Sequence, residues 1–190
     1  MAEQHGHGQV KDERLDAEHE ARRRLALAQI RQYPDPALRM TAREVELFDD
    51  DLRRLVERMK ALMEDANGVG LAATQVGVLQ RLFVLRPDPE EEARAVVNPA
   101  IVEASEETEV DNEGCLSLQG VLVPVERHVT VTVAAVDEHG EPVRLELSEL
   151  ASRVVQHELD HLEGRLIIDR TDAASRREAL ATLRPQPLLG

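Results

Sequence analysis

The sequence predicts an α+β fold in which antiparallel β-sheets pack around a central helix carrying a His-Glu-x-x-His motif, with a further helix near the C-terminus. Three observations predict it. Leu52, Leu55, Val56, Met59, Leu62 and Met63 recur at helical spacing. From Arg81 to Leu147, short apolar and β-branched runs alternate with turn signals, and Val129, Val131 and Val133 share one face at period two. Leu150, Val154, His157 and His161 then fall at i, i+4, i+7 and i+11, so the two histidines lie on a half-buried helical face.

In chain order, residues 1–24 are polar and charge-dense and read as a flexible or weakly helical extension. His5 and His7 there belong to a solvated tail. Two prolines in Gln32-Tyr33-Pro34-Asp35-Pro36 forbid a helix and mark an extended lead into the domain. Asp49 to Asp51 favour the start of the first apolar helix, and Asn67-Gly68 stops it. The run from Gly68 to Gly77 reads as a loop of small residues around one amide, Gln75. Strands follow at 82–85 and 95–97, separated by an acidic loop. Residues 103–113 carry six carboxylates and read as a solvated edge or hairpin. A strand at 121–125 and a hairpin through residues 128–147 come next. Ser148 is placed to cap the histidine helix, Gly164 ends it, and 171–183 reads as a closing helix. Residues 25–184 thus read as a single domain, with 185–190 as a tail.

Composition narrows the function. The 190 residues suit one domain, and a formal charge of −14, from 37 acidic against 23 basic residues, opposes DNA or anionic-membrane binding. No run approaches the ~20 apolar residues of a membrane span, and no signal-peptide apolar region opens the chain. With Trp absent and aromatics at 2%, the core must be aliphatic. One cysteine cannot form an internal disulfide, which points to the cytoplasm.

His157-Glu158-Leu159-Asp160-His161 places two imidazoles one helical turn apart, close enough to grip one cation, with a carboxylate able to reach a water on it. The alternative is a charged surface helix with two unrelated histidines. A third ligand decides between them. In the metzincin pattern it would fall at Ile167, which cannot coordinate. A downstream glutamate would have to be Glu178, in an Arg-rich helix. Upstream, Cys115 is either core filler or a thiolate ligand. With the thiolate, a tetrahedral site keeps one position open, as catalytic sites do.

Three segments together resemble the peptide deformylase family. Gly68-Val69-Gly70-Leu71-Ala72-Ala73-Thr74-Gln75 is similar to its Gly-x-Gly-Leu-Ala-Ala-x-Gln motif. Glu113-Gly114-Cys115-Leu116-Ser117 matches Glu-Gly-Cys-Leu-Ser, and Gln156 to His161 matches Gln-His-Glu-x-Asp-His. The likeness spans about residues 28–170. Thr74 stands where proline is usual, Leu118-Gln119 replaces a common Ile/Val-Pro, and Leu122 replaces an arginine, although Arg127 is retained. These departures bear on loop rigidity and substrate preference.

The resemblance implies a hydrolase that removes the N-formyl group from the formyl-methionine of newly made polypeptides, releasing formate. It implies Cys115, His157 and His161 as ligands of Fe²⁺, with Zn²⁺, Ni²⁺ or Co²⁺ able to substitute. The metal would make hydroxide available near neutral pH, with Glu158 as general base and then acid. Gln75 and the Leu116 N–H would stabilise the oxyanion. Val69 and Gly70 would pair with an extended substrate, Leu150 and Val154 would wall a methionine pocket, and Asp160 would orient the ligands. Nascent peptides, and the ribosome near its exit tunnel through Arg176, Arg177 and Arg184, are the implied partners. A deformylase-like binding protein without activity, and a general metallopeptidase, are the competing readings.

Overall fold

The computed structural model describes residues 7–184; the tail at 185–190 and His5 lie outside them. Helix α1 (His7–Leu27) is rich in Ala, Leu, Arg and Glu, residues that hold a helix by propensity where no apolar stripe exists. Its end is anchored: Ala26, Leu27 and the following Ile30 are buried against helix α2 (Asp50–Asp65). Between them, Pro36 opens a short 3-10 turn (Pro36–Arg39) at the position where its missing N–H costs nothing, and Asp35 Oδ1 accepts from Ala37 N–H at 2.9 Å. Helix α2 starts on Asp49, whose Oδ1 accepts from Leu52 N–H at 3.0 Å, and buries Leu52, Val56, Met59, Leu62 and Met63.

The small-residue run that reads as a loop is more ordered than that. It forms strand β1 (Gly70–Ala72) and a 3-10 turn (Ala73–Val76) closed by Gly77 at φ 81°. Strands β2 (Leu82–Leu85), β3 (Arg94–Ala104), β4 (Thr108–Gly114), β5 (Leu122–His128), β6 (Thr130–Val136) and β7 (Pro142–Ser148) follow, then α3 (Glu149–Leu162) and α4 (Ala173–Thr182). One antiparallel sheet has the order β1-β2-β3-β6-β7, and β4-β5 make a separate hairpin.

Strand β2 explains how the layers stack. Leu82 and Val84 join the cluster under α2, whereas Phe83 and Leu85 join the one under α3. Successive side chains of a strand point to opposite faces, so a four-residue apolar run is buried twice. Each such side chain fully removed from water contributes about 1.5–3 kcal/mol. Val154, Val155, Leu159 and Leu162 of α3 pack on the sheet, and a third cluster joins β5 to Leu166, Ile168 and Ala179 beyond the helix. The helix therefore lies between the large sheet and the hairpin.

Three local expectations change. Ser148 occupies the cap position of α3 but its side chain makes no capping bond. Strand β3 runs well past Val97, because its register with β6 shifts at Asn98-Pro99 and resumes at Ala100. Asn98 takes φ 50° and uses its amide on the Val45 backbone, accepting at 2.8 Å and donating at 2.9 Å. Of the six carboxylates at 103–113, five are exposed, but Glu113 is buried.

Candidate active site

Helical spacing on α3 puts His157 and His161 on one face, with ring centroids 5.0 Å apart. The end of β4 delivers Cys115 opposite them. One ligand atom from each of Cys115, His157 and His161 lies within 4.8 Å of the others, and Cys115 Sγ is 3.2 Å from His161 Nε2. Burial disfavours charge on both rings. Cys115 and Glu113 nevertheless draw His157 well above the ordinary histidine range, while burial and then the charge of His157 hold His161 well below it. A point where one thiol and two imidazole nitrogens converge fits a cation. Beside it, Glu158 Oε2 and His161 Nδ1 are buried with no hydrogen-bond partner among the described residues.

Glu158 faces the strand that opens the site. A Cβ on Gly70 would collide with Glu158 Oε1 and come within 2.9 Å of Val154 Cγ1. Only glycine lets the two elements approach this closely. Burial pushes the Glu158 carboxyl up to about 7. Gln75 is held with one orientation: its Oε1 accepts from Ala72 N–H at 2.8 Å, so Nε2 faces the site, donating to Ser117 Oγ at 3.0 Å and lying 3.7 Å from Cys115 Sγ. The Leu116 N–H has no acceptor among the described residues.

Glu113 is the residue that sequence reasoning missed. Its Oε1 accepts from Arg127 Nε and Arg153 Nη1, each at 2.9 Å; its Oε2 accepts from Arg127 Nη2 at 2.9 Å and meets His157 Nδ1 at 3.0 Å. Burial alone would raise its carboxyl, but His157 and Arg127 hold it at about 2. Asp160, expected to orient the ligands itself, touches neither histidine. It accepts from Arg127 Nη1 at 2.6 Å and Arg170 Nε at 3.0 Å, and Arg127 links it to Glu113. Membership in a run of carboxylates hid Glu113; its place two residues before the only cysteine was the available signal.

The departures in the motifs have partners. Thr74, buried, donates its hydroxyl to the His161 carbonyl at 3.2 Å, tying the Gln75 turn to the helix. Gln119 Nε2 donates to Gln32 Oε1 at 3.1 Å, and Gln32 in turn donates to the Leu116 carbonyl at 3.0 Å. Leu122, 72% exposed, stands at the rim of a cleft of about 690 Å³ that contains Gln75, Cys115, His157 and Glu158. Val69, Gly70 and Val154 line the same cleft, and Leu150, 52% exposed, stands at its edge.

Fold and site together define a hydrolase class: a helix with His-Glu-x-x-His, sheathed by antiparallel strands, facing a cysteine that arrives from upstream. Comparison with known proteins narrows this. The polypeptide deformylase family matches residues 27–177. A peptide deformylase of a Thermotoga species is 48% identical over 147 residues, covering 77% of this chain and 88% of the relative. The crystal structure of a peptide deformylase from Legionella pneumophila superposes with a TM-score of 0.77 at 39% identity, covering 81% of this chain and 91% of that one. Arabidopsis thaliana peptide deformylase 1B superposes at 0.78 and 38% identity, over 82% and 87%. The chain belongs to the polypeptide deformylase family, a family of metal-dependent hydrolases that remove N-formyl groups from nascent peptides.

Proposed function

We propose that this chain carries out deformylation with Cys115, His157 and His161 holding one ferrous ion, Glu158 moving the proton, and Gln75 with the Leu116 N–H receiving the oxyanion. The observation that carries the reading is the convergence of three ligand atoms within 4.8 Å beside a buried carboxylate with an unpartnered oxygen. When bound, the cation supplies Lewis-acid polarisation and acidifies a water. Glu158 accepts that water's proton and returns it to the departing amine. Gln75, neutral at all working pH and fixed by Ala72, contributes a donor of the kind worth about 3 kcal/mol in the barrier. The ligand types alone would also suit zinc; iron follows from the family resemblance.

Strand β1 is an edge strand, so its free side can pair with an extended peptide whatever the sequence. Val154 would wall the methionine pocket, with Leu150 at its mouth. Residues 25–184 would form the catalytic domain, with 1–24 as its extension. Among the described residues no helix is long and apolar enough to cross a membrane. We place the activity in the cytoplasm, where nascent chains emerge from the ribosome. Arg177 and Arg184 are exposed and available for docking there, whereas Arg176 pairs with Asp169 at 3.5 Å.

The test is formate release from formyl-Met peptides by anaerobically prepared protein, with metal content measured on the same sample. Glu158→Gln should retain the metal and lower turnover by about 10²–10⁴-fold. A metal-loaded wild-type protein that releases no formate would overturn the reading.

A further inference from the structure

We propose that Arg23, on the last turns of α1, is a specificity residue that recognises a carboxylate side chain of the peptide a few residues beyond its N-terminal methionine. The proposal rests on the deformylase reading above and adds a preference that the family match does not contain, since that match begins at residue 27. Arg23 and Leu27, one helical turn apart, both line the catalytic cleft, in the company of Leu118, Gln119 and Leu122. Leu27 is buried in the core cluster under α2, which fixes the helix end that presents Arg23.

The segment after α1 is stitched to both halves of the oxyanion region. Arg31 N–H donates to the Gln75 carbonyl at 2.7 Å, Tyr33 N–H donates to the Ser117 carbonyl at 2.9 Å, and Gln32 Nε2 donates to the Leu116 carbonyl at 3.0 Å. Arg23 is therefore held on the same frame as the reacting groups.

Two guanidinium groups line this cleft, and they differ. Arg153 is consumed by Glu113 and by the carbonyls of Val125 and Glu109, at 2.9, 2.9 and 3.0 Å. Arg23 is exposed and makes no ion pair among the described residues. On a chain of net charge −14, an acidic peptide meets repulsion over most of the surface, so a free cation at the cleft mouth is a local and selective attraction. Leu122 supplies an aliphatic neighbour for the stem of a glutamate, whose carboxylate can accept the guanidinium fork.

The experiment uses the metal-loaded full chain and C-terminally amidated formyl-Met-Ala-Xaa-Ala peptides with Xaa Glu, Gln or Lys. Wild type should favour Glu over Gln by roughly two- to five-fold in kcat/KM at low salt, as an exposed ion pair allows, and the ratio should shrink in 0.5 M NaCl. Arg23→Ala should bring the ratio to about one, Arg23→Lys should restore part of it, and Arg23→Glu should favour Lys. Arg24→Ala, on a residue outside the cleft lining, should leave it unchanged. A wild-type ratio of one, or a ratio that Arg23→Glu does not move, overturns the proposal. The same series with a free C-terminal carboxylate serves as a control, and a response to Arg23→Glu seen only there also overturns the proposal. Absence of formate from every peptide would instead remove the deformylase reading, and this proposal with it.

Discussion

Glu113→Gln tests a buried group that the run of carboxylates around it hid in the sequence. The carboxylate receives four donors, two on each oxygen: Arg127 Nε and Arg153 Nη1 on Oε1, Arg127 Nη2 and His157 Nδ1 on Oε2. Glutamine keeps the shape but replaces one oxygen with an NH₂. Either orientation of that amide sets it against two existing donors, and Arg127, only 5% exposed, is left with Asp160 as its remaining anion. Breaking one member of a buried charged network costs about 3–5 kcal/mol. For a domain of this size that is a fall in Tm of roughly 10 °C.

The second consequence is local. With Nδ1–H directed at Glu113, His157 presents a bare Nε2 to the cluster; an amide NH₂ opposite Nδ1 favours the other tautomer and blocks ligation. Loss of such a ligand-orienting partner typically weakens metal binding about 10–100-fold. Chelator competition gives the metal Kd, and urea unfolding of metal-free protein gives the stability. Adding Arg127→Met should recover part of the stability, because it removes the stranded cation, while leaving the metal affinity low. A Glu113→Gln protein with unchanged Kd and urea midpoint would refute the reasoning.

Other predictions address separate parts of the site. Cys115→Ala should strip the metal, leaving less than one-tenth occupancy after dialysis; a fully occupied, active variant would remove Cys115 from the ligand set. Gly70→Ala should fold with a modest stability loss of about 1–3 kcal/mol, because its Cβ collides with the end of Glu158. With the metal retained, turnover should nevertheless fall at least tenfold, and normal turnover would show the contact to be idle. Acid stability should depend on Asp169. Burial would raise its carboxyl, but the Arg39 guanidinium and the Leu166 N–H hold it below the ordinary 3.8. A depressed folded pKa stabilises above the unfolded value and loses that contribution as pH falls through the folded one. The denaturation gap between wild type and Asp169→Asn should therefore be full at pH 6 and closing below about pH 3.8; a pH-independent gap would contradict this.

The parts legible in the sequence were those governed by short-range periodicity. The spacing of Leu52 to Met63 and of Leu150 to His161 located both core helices, because a helix buries a stripe that recurs every three to four residues. The grouping of Cys115 with His157 and His161 was legible once the three motifs were read together, and the structure brings one ligand atom of each within 4.8 Å of the others. What escaped was decided by partners distant in the chain. Glu113 looks like its solvated neighbours until Arg127, Arg153 and His157 are brought around it. Asp160 sits between the histidines in sequence yet turns toward Arg127 and Arg170. Asn98-Pro99 reads as the end of a strand, and only pairing with β6 shows that the strand resumes beyond an irregularity. Ser148 satisfies the cap pattern, but the following Glu149 takes φ 50°, and its side chain caps nothing.

The contact between Gly70 and Glu158 also bears on where along a polypeptide the enzyme can act. A peptide added to β1 is gauged by its register, not by its side chains. The same residue that would offer it a backbone edge touches the group that would carry the proton, while Val154 and His157 stand on α3 beyond. A Cβ at residue 70 would lie 2.9 Å from Val154 Cγ1, so α3 closes on this edge beside Glu158. A peptide paired there would meet α3 next to the Cys115, His157 and His161 cluster, where a chain start fits more readily than a chain interior, so selectivity for chain starts would follow from the missing Cβ.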